Sequence, residues 1–273
     1  MNNKLSIIAL LGILSLISAC GGDSSSENNN NLPTQTWYKP APSSSWQWQL
    51  SGTVNANYNV EIYDIDLFDS SKSLIQDLQS NNKKVICYFS GGSFENWRSD
   101  KDNFNSTDLG NTLDGWAGER WLDIRSRNVR KIMKTRLDLA KQKNCDGVEP
   151  DNMDGYTNNS GFPLRPNDQL DYNRFIANEA HARGLSVGLK NDLDQIKELV
   201  DDFDFAVNEQ CFEFNECDAL APFINSGKAV LNTEYKQSYI NDPTNICNQA
   251  NNLQFSTLLL PLKLDDSSRH SCL

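Results

Sequence analysis

From residue 46 onwards, short apolar segments alternate along the chain with longer segments in which apolar residues recur at helical spacing. The apolar segments predict eight strands, at 46–50, 60–64, 84–89, 147–149, 185–189, 205–208, 229–232 and 255–260. Helices are predicted around 74–78 and over 125–143, 168–183, 194–200, 220–224 and 245–252. Strands that alternate with helices indicate a parallel sheet, and eight such units predict an α/β fold of the (β/α)8 TIM barrel class.

An open, doubly wound sheet is the alternative fold. The chain has no Gly-x-Gly-x-x-Gly segment and no Walker loop that would favour it. The connection after the first predicted strand is short for a helix, so we expect the first unit of the barrel to be degenerate.

Acidic residues collect where the predicted strands end, most densely at 145–156, where Asp146, Glu149, Asp151 and Asp154 surround Pro150. The carboxyl ends of barrel strands meet at one rim, which is where barrel enzymes hold their active sites. The rim residues expected to contact a substrate are Asp64, Asp66, Tyr88, Ser90, Glu95, Trp97, Glu149, Asn152, Asp154, Lys190, Asp192, Glu234 and Tyr235.

Paired carboxylates among aromatic side chains are typical of glycoside hydrolysis, in which one carboxylate attacks and another donates a proton. Two other interpretations exist for the segment around Asp151. Asp-Asn-x-Asp-Gly is also good turn chemistry, and the carboxylates at Asp64, Asp66, Asp151 and Asp154 could hold Mg²⁺ or Ca²⁺. Because neither segment has the spacing of a calcium loop, we predict no metal and no cofactor.

The first residues have the composition of a targeting segment. Lys4 precedes an apolar run that ends in Ile-Ser-Ala-Cys, which predicts a signal peptide at 1–19. The ending resembles a bacterial lipobox, and by that resemblance Cys20 is the lipidated residue. The alternative is an ordinary signal peptide with a chance cysteine. Residues 20–36 are predicted to be a flexible tether, and 37–273 the catalytic domain. We therefore expect an exported protein, secreted or held in the cell envelope by a lipid anchor alone.

The formal net charge of the chain is −11, with two histidines. Such a charge repels phosphates and argues against nucleic-acid binding, while it would attract a cationic ligand. Solubility alone is the competing explanation. We expect a monomer.

Six cysteines follow Cys20. Cys211 and Cys217 flank an apparent loop, and Cys247 and Cys272 could fasten the C-terminal segment, so both are candidate disulfides in an exported chain. Cys87 and Cys145 remain, either as a third pair or as buried free thiols.

Several motifs occur in the order of a known family, at 88–95, 121–125, 145–156, 188–192, 208–211 and 234–235. With them the chain resembles glycoside hydrolase family 114, the endo-α-1,4-polygalactosaminidases and their relatives. The resemblance implies a (β/α)8 barrel, a retaining mechanism and, as partner, a cationic or partly acetylated galactosamine polysaccharide with α-1,4 links. It places the catalytic pair at Asp151, the nucleophile, and Glu209, the acid/base. The alternative is a lipoprotein that binds such an exopolysaccharide without cutting it.

Overall fold

The structure, a computed structural model, describes residues 36–273. The predicted signal peptide, Cys20 and the tether up to residue 35 lie outside the described residues. None of the helices in the described part is long and apolar enough to cross a membrane.

Twelve strands are present in residues 36–273. They are β1 Trp46–Gln49, β2 Ile62–Asp66, β3 Lys84–Ser90, β4 Ser93–Glu95, β5 Leu109–Thr112, β6 Glu119–Leu122, β7 Gly147–Asp151, β8 Ser186–Lys190, β9 Phe205–Glu209, β10 Val230–Glu234, β11 Ser256–Leu259 and β12 His270–Ser271. The α-helices are α1 Lys72–Ser80, α2 Arg127–Lys143, α3 Pro166–His181, α4 Ile196–Leu199, α5 Cys211–Phe214, α6 Ala221–Asn225, α7 Gln237–Asn241 and α8 Thr244–Asn252.

Eight parallel strands form the main sheet in the order β1-β2-β3-β7-β8-β9-β10-β11, and β12 adds an antiparallel strand beside β11. The Trp46 indole donates a hydrogen bond of 2.7 Å to the Ser256 carbonyl and so joins the first parallel strand to the last. The predicted (β/α)8 barrel is confirmed. No helix lies between β1 and β2 in the described chain, so the first unit is degenerate as expected.

A three-stranded antiparallel sheet, in the order β4-β6-β5, is inserted between β3 and α2. The sequence pattern did not predict it, because its strands are short and polar.

Helix α2 shows how the sequence positions the outer layer. The Ser126 hydroxyl accepts from two backbone N–H groups at the start of the helix, and Asn144 ends it in the left-handed conformation. The predicted apolar stripe packs inward and includes Met133, Leu137 and Ala140, all with no exposed surface.

Two apolar clusters follow from the alternation of side chains along the strands. One fills the barrel and includes Trp46, Ile62, Ile86, Phe205 and Leu231. The other lies between the sheet and the helices. The side chains of every second residue therefore point into the barrel, and those at its carboxyl end form the candidate site.

Three disulfides are present, Cys87–Cys145, Cys211–Cys217 and Cys247–Cys272. They confirm both candidate pairs and show that the remaining two cysteines are paired rather than free thiols.

Candidate active site

A single buried ammonium lies at the centre of the carboxyl rim. Lys190, the last residue of β8, has its Nζ 3.1 Å from Asp151 Oδ1, 3.1 Å from Glu209 Oε2 and 3.2 Å from Glu149 Oε1. Its side chain is only 2 % exposed. Burial alone would lower the pKa of Lys190, but the three carboxylates outweigh it and hold that pKa well above its usual range. The lysine is therefore a permanent positive charge between three acids.

The two predicted catalytic carboxylates face the same nitrogen. Because Asp151 Oδ1 and Glu209 Oε2 each lie 3.1 Å from Lys190 Nζ, these two oxygens are at most about 6.2 Å apart. Retaining glycosidases hold their two carboxyl groups roughly 5 to 5.5 Å apart, whereas inverting enzymes hold them roughly 6.5 to 9.5 Å apart to leave room for a water. The upper bound of about 6.2 Å lies below the inverting range.

A tyrosine hydroxyl also orients each of these carboxylates. Tyr88 donates to Asp151 Oδ2 at 2.8 Å, and Tyr235 donates to Glu209 Oε1. The backbone N–H of Asn152 donates to Asp151 Oδ1 at 2.7 Å. Both side chains keep some exposure, 20 % for Asp151 and 24 % for Glu209, so a ligand can reach them.

Glu149 lies beneath this pair with no exposed surface. Its Oε2 accepts a hydrogen bond of 3.0 Å from the indole of Trp48, whose ring also lies 4.9 Å from Lys190 Nζ. Burial raises the pKa of Glu149, although Lys190 opposes the shift. Sequence reasoning missed Trp48, which alternation along β1 could have placed in the barrel.

Several of the predicted rim acids contact protein groups rather than open surface. Both oxygens of Asp66 accept from Arg98, at 3.0 and 2.6 Å, and Arg98 also bonds Glu95 at 2.8 Å. Glu95 lies 3.6 Å from Arg136 as well. Asp66 and Glu95 are almost wholly buried, so these ion pairs replace the expected direct contact with a substrate.

Glu234 requires a similar correction. Side chains alternate along a strand, and those of Leu231 and Tyr235 point into the barrel. The side chain of Glu234 therefore points out of the barrel. There it accepts from the backbone N–H groups of Phe212 and Glu213, at 2.9 and 3.3 Å, and holds the start of α5. Burial raises the pKa of Glu234 to about 7. The expected sugar contact at Glu234 is not what the structure shows.

Ser90 and Asn152 support the loop after β3. The Asn152 amide donates to Ser90 Oγ at 3.0 Å, and the Ser93 hydroxyl donates to Glu119 at 2.7 Å. Gly92 is required here, because a Cβ at that position would lie 1.8 Å from the Asn152 carbonyl oxygen. Trp97, by contrast, is 52 % exposed and free to meet a ligand.

An open cleft of about 360 Å³ begins at Glu209 and extends over the loops that follow β7, β8 and β9. Its lining is rich in acids and has two aromatic side chains; the residues are Asp154, Tyr156, Thr157, Asn191, Asp192, Leu193, Asp194, Asn208, Glu209, Gln210, Phe214 and Glu216. Its volume suits a small ligand or one segment of a polymer. Asp194, Phe214 and Glu216 were not predicted, because they lie beyond the strand ends, the first two on helical turns and Glu216 in a connecting segment.

Burial raises the pKa of two cleft carboxyls. That of Asp154 rises to about 6, with a contribution from Asp151, and that of Asp192 rises to about 8, with contributions from Asp154 and Asp194. At neutral pH the cleft therefore carries less negative charge than its composition suggests, since Asp192 is largely protonated.

The backbone is strained where three strands leave the sheet. Asn152, Asn191, Asp192 and Gln210 have φ values of 60°, 49°, 50° and 64°. Residues other than glycine adopt this region at some cost, and such residues cluster at functional sites. The strain turns the chain sharply after Asp151, Lys190 and Glu209.

No group of three or more His, Cys, Asp or Glu side chains in residues 36–273 is arranged to hold a metal ion. The three carboxyl groups at the centre of the rim share the single ammonium of Lys190.

The model of one protein family, glycoside hydrolase family GH114, matches residues 26–273. The chain belongs to this family. A comparison with curated protein sequences gave no match.

Solved structures agree with the family assignment. The structure of Ega3 from Aspergillus fumigatus, in complex with galactosamine, is 44 % identical in sequence, covers 87 % of this chain and 98 % of its own, and superposes with a TM-score of 0.82. The glycoside hydrolase domain of PelA from Pseudomonas aeruginosa is 10 % identical over 81 % of this chain and 96 % of its own, with a TM-score of 0.66. Trehalulose synthase MutB from Pseudomonas mesoacidophila is 9 % identical over 70 % of this chain and 57 % of its own, with a TM-score of 0.53.

The GH114 protein described here is thus a glycoside hydrolase on a (β/α)8 barrel. At 10 % and 9 % identity, the likeness to PelA and MutB concerns the fold alone.

Proposed function

We propose that this GH114 protein is an exported, retaining glycoside hydrolase that cleaves polysaccharides containing α-1,4-linked galactosamine. Asp151 is the nucleophile and Glu209 the acid/base. The observation that carries this proposal is the shared contact of Asp151 and Glu209 with the ammonium of Lys190, which keeps the two carboxylates within about 6.2 Å of each other.

In the first step, Asp151 Oδ1 or Oδ2 forms a bond to the anomeric carbon of the sugar while the glycosidic bond breaks. The protonated carboxyl of Glu209 gives its proton to the leaving oxygen, so that the departing chain leaves as a neutral alcohol. The product of this step is a glycosyl ester of Asp151.

In the second step, Glu209, now ionised, takes a proton from water, and the resulting oxygen attacks the anomeric carbon. The ester bond breaks and Asp151 is released as a carboxylate, which Lys190 and Tyr88 are placed to stabilise. Two attacks at the same carbon retain its configuration.

A cationic amino sugar suits the charge of the site. Ega3, the relative with 44 % identity, was solved in complex with galactosamine. In this chain the cleft beside Glu209 is lined by Asp154, Asp192, Asp194 and Glu216. A galactosamine ammonium entering the cleft would be attracted by these carboxyls and would favour ionisation of Asp192.

Export is supported by the three disulfides, which persist in oxidising compartments. The signal-like start and the Ile-Ser-Ala-Cys segment ending at Cys20 extend the proposal to a lipid-anchored protein of the cell envelope. A Cys20→Ala variant should lose incorporation of labelled fatty acid while the wild-type chain retains it, and equal labelling would remove the anchor from the proposal.

The activity is tested by incubating residues 37–273 with galactosamine polymers of graded acetylation and reading the products by mass spectrometry. Asp151→Asn and Glu209→Gln should each lower kcat by several orders of magnitude, while polymer binding survives. Asp168→Asn, on an exposed helix start, serves as the control.

A non-catalytic polysaccharide-binding protein is the alternative. Polymer binding by the wild-type chain without any release of oligosaccharide over a day would favour this non-catalytic interpretation. Absence of both binding and release would contradict the proposed substrate class.

A further inference from the structure

Asp64 is a buried acid that the proposed chemistry does not use. It lies on β2 with its side chain in the barrel and has no exposed surface. Neither of its oxygens receives a hydrogen bond from a protein donor. Its neighbour on β1 is Trp48, whose indole N–H is already donated to Glu149. The expected contact between Asp64 and a substrate is therefore replaced by an internal position that needs a different explanation.

Asp64 and Glu149 are neighbours in the barrel and share Trp48, which lies opposite Asp64 in the register of β1 and β2 and donates its indole N–H to Glu149. Glu149 Oε1 is another buried oxygen of the described residues that receives no hydrogen bond, although Lys190 Nζ lies 3.2 Å away. Two neighbouring ionised carboxylates inside a barrel would repel each other without water to screen them. A single proton between them removes the repulsion and satisfies both unpartnered groups.

The position of Lys190 decides which carboxyl holds the proton. Glu149 lies beside the Lys190 ammonium, which stabilises its anionic form, whereas Asp64 lies farther from that ammonium. Burial, and then the charge of Glu149, raise the pKa of Asp64 well above its usual range.

We propose that Asp64 is a positioning residue that stays protonated, donates its hydrogen bond to Glu149, and thereby holds Glu149 as the fixed anion that locates Lys190 between Asp151 and Glu209. The inference rests on the proposed function, since it assigns Lys190 the task of orienting the catalytic pair.

The charge balance explains why a neutral acid is needed. Lys190 contacts three carboxyl groups, Glu149 below it and Asp151 and Glu209 above. A further negative charge at Asp64 would draw the ammonium deeper into the barrel and away from the catalytic carboxyl groups. A protonated Asp64 adds a donor without adding charge.

The charged and titratable groups that face this pair are few. From β7 comes Asp151, from β8 Lys190, from β9 Glu209 and from the end of β10 Tyr235. Tyr88 of β3 is the register partner of Glu149, and β1 contributes the Trp48 indole. Loss of the donor at Asp64 should raise the pH at which Glu149 takes up a proton, because the hydrogen bond from Asp64 lowers the pKa of Glu149.

Two substitutions separate a neutral donor from a buried charge. Asp64→Asn keeps the size of the side chain and an N–H donor. We therefore expect kcat on the galactosamine polymer to stay within about threefold of the wild type, a smaller change than the loss of one hydrogen bond would cause. Asp64→Leu removes the donor at similar volume, and kcat should fall about 10²-fold, the effect of a displaced catalytic group. KM should change little, and the acidic limb of the pH–rate profile should move to higher pH in Asp64→Leu alone.

Asp66→Asn is the matched control on the same strand. Asp66 is paired with Arg98, so a neutral amide there should lower the thermal unfolding temperature, which Asp64→Asn should leave nearly unchanged. Equal losses of activity in Asp64→Asn and Asp64→Leu, or an unchanged kcat and pH profile in Asp64→Leu, would overturn the proposal.

A measurement without substrate keeps the test independent of the proposed function and of the folding of Asp64→Leu. The infrared difference spectrum between the wild type and Asp64→Asn at pH 7 should contain the C=O band of a protonated carboxyl. Carboxylate bands in its place would show that Asp64 is ionised and would contradict the proposal. If the band is present but no polymer is cleaved, the proposed function fails while the proton at Asp64 stands.

Discussion

Lys190 Nζ lies 3.1 Å from Asp151 Oδ1, and the lysine side chain of this ion pair is only 2 % exposed to solvent. The charge on Lys190 favours the anionic form that a nucleophile requires. Lys190→Met should therefore lower kcat by about 10²- to 10³-fold, the range seen when one preorganised electrostatic group is removed. The acidic limb of the pH–rate profile should also move to higher pH, because Lys190 opposes the rise in the pKa of Glu149 and that opposition would be lost.

Lys84→Met provides the control for this prediction. Lys84 pairs with Asp146 but is 42 % exposed, so its loss should leave kcat and the pH profile unchanged. If Lys190→Met kept both activity and the acidic limb, Lys190 would be no more than a structural ion pair.

The tyrosine above Glu209 gives a second prediction. Tyr235→Phe removes the hydroxyl that donates to Glu209 Oε1, and the loss of such a partner at a part-buried acceptor costs about 1–3 kcal/mol. We expect kcat to fall roughly 10- to 100-fold, with a smaller change in KM, because the bond orients the acid/base rather than the sugar. Tyr239→Phe, on the neighbouring helix α7, should have no effect in the same steady-state assay; equal losses in both variants would contradict the assigned role.

Much of the fold was predictable because strand and helix periodicities alternate from residue 46 to residue 260. The inserted sheet formed by β4, β5 and β6 was not, since segments such as Ser93–Glu95 carry no apolar alternation. Strand β12 is only two residues long, too short for any pattern.

The centre of the site was predictable for a topological reason. Asp151, Lys190 and Glu209 end three consecutive parallel strands, so a barrel brings them together. Glu234 was misplaced because strand ends were read without the alternation of side chains, which turns it outward.

The ion-pair partners of Asp66 and Glu95 could not be inferred from the residues at the strand ends. Arg98 comes from the loop after β4 and Arg136 from the middle of α2, and only the tertiary structure brings them to Asp66 and Glu95. The proximity of Asp64 and Glu149 is likewise set by the curvature of the barrel, which no local pattern encodes.

The opposite end of the barrel offers a prediction about stability. Asp204, just before β9, accepts from the His181 ring at 2.8 Å, the Trp37 indole at 2.9 Å and the Val187 backbone N–H at 3.0 Å. Burial alone would raise the pKa of Asp204, but these hydrogen bonds outweigh it and lower that pKa. Asp204→Asn should therefore destabilise the fold at pH 7 by about 1–3 kcal/mol, as for other hydrogen bonds to buried charges.

The pH dependence of this effect follows from its sign. Because the folded-state pKa of Asp204 lies below the unfolded value, its contribution is complete above about pH 4 and is lost as the pH falls through the folded-state pKa. Thermal unfolding of the wild type and Asp204→Asn should differ at pH 7 and converge in acid. A difference that is constant with pH would show that the ionised form is not what stabilises the fold. Activity should be unaffected, since Glu209 lies at the other end of β9.

The acidic cleft gives the last prediction, on salt and substrate charge together. Asp194 and Glu216 line the cleft beside Glu209, and the chain carries a net charge of −11. Attraction between exposed charges is screened over about 10 Å at 0.1 M salt. Raising the salt concentration should therefore weaken the apparent affinity for deacetylated galactosamine polymer strongly, and barely change it for fully acetylated polymer, whose sugars are neutral.

Turnover at saturation should hold throughout such a salt titration, because the contacts of Lys190 with Asp151 and Glu209 are shielded from mobile ions. An Asp194→Asn/Glu216→Gln double variant should reduce the salt dependence for the deacetylated polymer alone, whereas Asp168→Asn, which is not part of the cleft lining, should not. The competing account is that the charge serves solubility and that the pocket recognises only the shape of the sugar. Salt would then affect both polymers equally, which would end the idea of electrostatic selection and leave the hydrolase assignment intact.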